Sequence, residues 1–231
     1  VTQRSSTSLR WVKSLLAVLI ACGALLSVAT TAAASITTVS SSHPFFNVSD
    51  DGTYAWVGTD NSCPGTNYVD QFSESGSLVH EYNVGSATCD AVILASNGTY
   101  TVAANGSTIY VITVSTESVT SFSEPSGWSY ANTPEIAADS SQFYLSNETV
   151  GKIVAYSYTS STPLWTYNYS GNSGGTSGDT CQQPYYLSSL NSNLWVSCFS
   201  PDSIVEVNAS TGAQESHFSV GFRPTDIYAY G

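Results

Sequence analysis

The residues of this sequence able to cross-link, hold an ion or move a proton are few. They are four cysteines beyond an N-terminal apolar segment, a thin spread of carboxylates and three histidines. Cys63, Cys89, Cys181 and Cys198 form an even set, and an even set in an exported chain suggests two disulfides with three possible connectivities. No Cys-x-x-Cys or His-x-His spacing accompanies them, so a zinc site lacks its usual pattern. Asp90, Glu135 and Asp226 are hard oxygen donors suited to Ca²⁺, or else solvated caps beside backbone N–H groups. His43, His80 and His217 are scattered singly along the chain, and nothing local groups one with a serine and an aspartate for nucleophilic catalysis. The stretch GNSGGTSGD (171–179) is Gly-rich but lacks the strand and helix context of a phosphate loop, so it reads as a flexible connection.

The setting of these groups begins at the N-terminus. Arg4, Arg10 and Lys13 precede an apolar run from Leu15 to Val28, and Ala32-Ala33-Ala34 follows. That is the order of an export signal, expected to occupy 1–34 and to be cleaved before Ser35. The run is interrupted by Gly23 and Ser27 and falls short of the ~20 apolar residues of a membrane span. Leu19-Ile20-Ala21-Cys22 also has the look of a lipobox that would lipidate Cys22, although the apolar run continues beyond it. The expected location is therefore secreted or cell-surface, with no membrane insertion after cleavage. All 17 acidic residues lie in 35–231, against Lys152 and Arg223 as the only Lys or Arg there. So few cations cannot neutralise many phosphates, which excludes nucleic acid as a partner class and disfavours an anionic membrane surface.

Apolar and polar residues alternate with period two throughout 35–231, and no long stretch has the 3.6-residue period of a helix. The clearest unit reads AVILA (91–95), a turn at SNG, TYTVAA (99–104), a turn at NGS, TIYVITV (108–114), then SVTSFS (118–123). Four short strands joined by tight turns predict an antiparallel meander. The order recurs from Pro44, Asp90, Pro134, Pro184 and Pro224, which are 46, 44, 50 and 40 residues apart. Four-stranded units at periods of 40–50 residues predict an all-β fold, a β-propeller, since each sheet has two apolar faces that its neighbours must cover. The blades are expected near 44–85, 86–127, 128–171 and 180–221, with the first strand of a fifth at 222–231. A chain that stops one strand into a fifth blade is expected to be part of a longer gene product, with a complete small ring as the alternative.

In such a fold, connections after the first and third strands lie on one face and those after the second and fourth on the other. The first group holds DDG, SNG, DSS, LNS, ESG, STE, STP and STG, all short turns. The second holds the long segments DNSCPGT (60–66), EPSGWSYANT (124–133) and GNSGGTSGDTCQQ (171–183). Long loops on a rigid scaffold are where binding usually resides. All four cysteines sort to that face, which selects the pairs Cys63–Cys89 and Cys181–Cys198. Trp128, Tyr130, Tyr185 and Tyr186 flank the long segments and form a candidate carbohydrate- or peptide-binding surface. Asp90, Glu135 and Asp226 fall at the mouth of the central channel there. His80 and His217 fall on outermost strands and His43 ahead of the first blade, positions that read as structural. Asn-x-Ser/Thr sequons occur at Asn47, Asn97, Asn105, Asn147, Asn168 and Asn208.

The segments IYVITVSTESV (109–119), IVEVNASTGAQESHFSVG (204–221) and VGFRPTDIYAY (220–230) resemble the YVTN-type propeller repeat, with NHL and quinoprotein-type repeats close in pattern. The resemblance spans most of 44–231 and implies the fold more firmly than an activity. The sequence leads first to a non-catalytic binding module acting on a protein or carbohydrate through the long-loop face, without a cofactor. A propeller enzyme of the lactonase or quinoprotein kind, with a cation or quinone on the axis, is the second expectation. A structural component of the cell envelope is the third.

Overall fold

The computed structural model describes residues 43–61, 65–86, 91–125, 135–168, 181, 183–200, 202–222, 224 and 227–229. The signal segment, Cys22, Cys63, Cys89, Asp90, Trp128, Tyr130 and Asp226 lie outside them. The described residues form sixteen strands in four antiparallel sheets, each a simple meander. The first sheet contains β1 (Phe45–Asp50), β2 (Tyr54–Thr59), β3 (Thr66–Ser73) and β4 (Leu78–Ser86). The second contains β5 (Ile93–Ser96), β6 (Tyr100–Asn105), β7 (Thr108–Thr113) and β8 (Ser118–Ser123). The third contains β9 (Ile136–Ala138), β10 (Gln142–Asn147), β11 (Lys152–Ser157) and β12 (Pro163–Asn168). The fourth contains β13 (Pro184–Leu190), β14 (Asn193–Phe199), β15 (Asp202–Asn208) and β16 (Gln214–Ser219). The expected all-β propeller architecture is present, with strand ends within two residues of the positions read from the alternation.

The innermost strands β1, β5, β9 and β13 are neighbours in that order. Between consecutive sheets the period-two pattern delivers one apolar layer from each side. Trp56, Val69, Tyr82 and Val84 meet Val92, Leu94, Ala103 and Ile112 between sheets one and two. Phe143, Leu145, Val154 and Tyr156 meet Val102, Ala104, Ile109 and Val111 between sheets two and three. Leu194, Val196, Val205 and Val207 meet Tyr144, Ile153 and Ala155 between sheets three and four. The middle strands β6, β7, β10 and β11 of sheets two and three thus contribute residues to two different cores, which is why they are buried on both faces. Among the described residues no such cluster joins sheet four to sheet one, so the array is open.

The fifth blade was expected to begin with a strand at TDIYAY. Residues 227–229 carry no strand assignment, yet the Ala229 N–H donates to Ser188 Oγ on β13 at 2.9 Å. This resembles the junction between sheets one and two, where the Leu94 N–H donates to Asn47 Oδ1 at 3.1 Å and the Ser96 N–H to Ser49 Oγ at 3.1 Å.

Close approach fixes two glycines. A Cβ on Gly58 of β2 would lie 2.3 Å from the Val92 carbonyl oxygen. Gly212 has a φ of +72° in the β15–β16 turn, and a Cβ there would lie 2.6 Å from the Trp165 ring. Only glycine satisfies both the left-handed backbone and that contact.

Candidate functional site

The two ends of the sheet array are built differently. At one end, the hairpins between first and second strands use a repeated side-chain device. Asp51 Oδ1 accepts from the N–H groups of Thr53 and Tyr54 at 2.9 and 2.8 Å. Asn97 Oδ1 accepts from Thr99 and Tyr100 at 2.9 and 2.8 Å, and Asp139 Oδ1 from Ser141 and Gln142 at 2.7 and 2.8 Å. The short polar side chain closes the turn on its own backbone. The remaining atoms of these residues reach into the core or across to a neighbouring sheet. Asp51 Oδ2 accepts from Trp56 Nε1 at 2.6 Å and from Ser96 Oγ at 3.3 Å. Asp139 Oδ2 accepts from the Tyr144 hydroxyl at 2.5 Å. Asn97 Nδ2 donates to the Asp139 carbonyl and to the Tyr158 hydroxyl. Tyr158 stacks on Tyr100 at 4.2 Å. Burial and the adjacent Asp139 carboxylate raise the Tyr144 and Tyr158 hydroxyls far above the ordinary tyrosine range, so both remain donors. The fourth sheet departs from the device: Asn191, at φ 57°, closes a tighter hairpin with Leu190 paired to Asn193.

At the other end lie the strand termini that flank the three long segments. Here Cys181 is joined to Cys198, with Cα atoms 5.2 Å apart, and both residues are fully buried. The bond ties the end of the third long segment to β14, one of the two pairs expected from the sequence. Beside it Tyr185 stacks on Phe199 at 4.4 Å and meets Tyr186 edge-on at 4.5 Å. The three rings are partly exposed. Their backbone is held by Ser146 Oγ donating to the Tyr185 carbonyl at 2.7 Å and by the Tyr186 N–H donating to Ser197 Oγ at 3.0 Å. Phe199 did not figure in the sequence reading, because an aromatic at the last position of a strand carries no signal until the register places it beside Tyr185.

Two further polar features mark this end. Asn67 Nδ2 donates to Asn105 Oδ1 at 3.1 Å, and Asn105 Nδ2 donates to the Val84 carbonyl at 2.7 Å, a buried amide chain between sheets one and two. Glu124 opens the second long segment. Both its carboxyl oxygens are buried without a hydrogen-bond partner among the described residues, and burial pushes the carboxyl up to about 8.

The remaining sequence-selected residues sort as follows. Glu135 precedes β9, its N–H donating to Ser146 Oγ at 3.3 Å and its carbonyl accepting from the Ser146 N–H at 3.1 Å. Its two intended companions, Asp90 and Asp226, lie outside the described residues, and the axial carboxylate set lies outside them with these two. His80 is on β4, 4.2 Å from the Tyr82 ring and 3.6 Å from Glu117, and His217 is on β16. Of the sequons, Asn97 and Asn105 have their Nδ2 atoms engaged as above, and Asn147 is fully buried. Asn47 is partly buried against β5. Asn168 is at the end of β12, and Asn208 caps the β15–β16 turn, with Nδ2 donating to Glu215 at 2.8 Å.

No family model and no curated protein matches the sequence. Solved structures do match. U3-55K superposes with a TM-score of 0.56 at 13% identity, covering 81% of this chain and 70% of that one. The WD40 repeats of RRP9 give 0.55 at 13%, covering 80% and 69%. Apo AztD from Citrobacter koseri gives 0.53 at 12%, covering 80% of this chain, which spans about half, 49%, of AztD. At such identities the likeness concerns the fold alone. With four meandering sheets packed face to face and their first strands innermost and adjacent, the chain is a β-propeller repeat protein of the architecture found in these WD40-type structures.

Proposed function

We propose that the protein is an exported binding module whose ligand, a protein segment or a carbohydrate, docks on the end carrying the long segments. One observation carries this reading: the two ends differ in construction. The Asp51, Asn97 and Asp139 end is closed by side chains already engaged in turns and inter-sheet bonds. The opposite end presents the Tyr185–Tyr186–Phe199 group, anchored by the Cys181–Cys198 bond, next to the longest connection. Partly exposed aromatic rings with fixed backbones supply large contact area at low entropic cost, which suits peptides and sugar faces alike. On this reading any N-glycan would sit on Asn168 or on Asn208, whose exposed bond to Glu215 it would replace, rather than on the inter-sheet amides of Asn97 and Asn105.

The test is an array of immobilised glycans and peptides probed with purified protein. Binding is expected to fall about ten-fold or more in a Tyr185→Ala/Tyr186→Ala variant and to be unchanged in Thr211→Ala at the opposite end, which matches the loss of one to two aromatic anchors. Equal binding by both variants, or a loss confined to Thr211→Ala, would place the ligand elsewhere.

A further inference from the structure

We propose that the first sheet carries a binding site for a divalent transition cation, formed by His43, Asp70 and Glu81 on the face of the sheet turned away from sheet two. One ligand atom from each residue lies within 4.8 Å of the others. His43 Nδ1 is 3.6 Å from Glu81 Oε2 and 4.0 Å from Asp70 Oδ2. Donors on one tetrahedral zinc sit roughly 3.4 Å apart, given metal–ligand distances of about 2.0–2.2 Å. The set is therefore close to a ligating arrangement, and the exposed Glu81 side chain is free to supply the remaining contraction.

The backbone puts these donors together. Asp70 on β3 and Glu81 on β4 are direct cross-strand partners. Like charges at directly opposed positions destabilise a sheet unless a positive charge lies between them. A divalent cation held between the His43 imidazole and the two carboxylates would supply that charge. His43 enters from the chain ahead of β1 and stacks on Tyr68 at 4.5 Å and 12°, which fixes the plane of the imidazole beside the two carboxylates.

The fold itself does not ask for these residues. At the position equivalent to Asp70, paired with the middle of the second strand, the other sheets carry Tyr110, Val154 and Val205. At the position equivalent to Glu81 they carry Ser121, Thr166 and His217. Asp70 nevertheless sits at 0% exposure, beside Val57 at 3% and Phe72 at 1%. A buried carboxylate in an apolar layer is costly unless it is paired or holds a metal. One imidazole nitrogen with two carboxylate oxygens favours Zn²⁺ or Mn²⁺ over Ca²⁺, which prefers six or more oxygens.

The test uses the purified chain with free thiols blocked, stripped with chelator and titrated calorimetrically with Zn²⁺, Mn²⁺ and Ca²⁺ in turn at about pH 7.5. The expected result is one equivalent of Zn²⁺ or Mn²⁺ bound, with Ca²⁺ at least about ten-fold weaker. Glu81→Gln and His43→Gln should each weaken binding at least about ten-fold, the loss that even an outer-shell change typically produces. Both positions are partly exposed, so these variants are expected to fold, and circular dichroism checks that they do; Asp70→Asn is the third arm where it folds. Absence of stoichiometric binding, Ca²⁺ binding as tightly, or a loss below ten-fold in both variants overturns the site.

Discussion

Gly212 and Glu124 show what single positions contribute. Gly212→Ala forces a Cβ into the Trp165 ring at a left-handed backbone position. Strain of that kind costs about 1–3 kcal/mol, to be read as a lower midpoint in urea unfolding, with the β15–β16 hairpin the first to exchange its amides. Glu124 makes stability depend on pH. Its folded carboxyl is raised from 4.5 to about 8 by burial. Below about pH 4.5 the group is neutral in both states. Between there and about pH 8 the unfolded carboxyl ionises while the folded one stays protonated, so stability falls as pH rises. A Glu124→Gln variant should flatten the fall in melting temperature across this window. A slope equal to that of the parent would show that other groups set it. Neither residue was marked by the sequence: Gly212 reads as an ordinary turn glycine, and Glu124 as the polar start of a loop.

At the scale of the element, the hairpins closed by Asp51, Asn97 and Asp139 link adjacent sheets as well as adjacent strands. Asn97→Ala removes two turn bonds and the donors to Tyr158 and to the Asp139 carbonyl. The loss should cost about 1–3 kcal/mol, because the partners left behind are partly buried. A Ser substitution, which keeps the turn acceptor and loses the cross-sheet donor, should fall between the two in denaturant unfolding. The strands themselves were legible because period-two alternation and Gly- or Asn-bearing turns are local signals. SNGTYTV could be read as a turn for that reason. That its asparagine also bridges two sheets could not, since Tyr158 and Asp139 are brought to it only by packing. His43 illustrates the same limit. Standing ahead of the first strand it looked isolated, and only the β3–β4 register sets Asp70 opposite Glu81 and both beside the imidazole.

At the scale of the whole molecule, the Cys181–Cys198 bond was legible because the face-sorting rule brings its two cysteines to one end of one blade. Replacing both by Ala should cost about 2–4 kcal/mol through the freed unfolded chain, and should loosen the Tyr185 group before the rest of the sheet. The account's central claim is that this end of the propeller is the binding end. Hydrogen-exchange mapping of the protein with and without a ligand found on the arrays tests it most directly. Protection gained along 181–200 and at the strand ends near Asn61, Glu124 and Glu135, with the turns at 51–54, 97–100, 139–142 and 208–213 unchanged, is the predicted result. Protection confined to those four turns would contradict it.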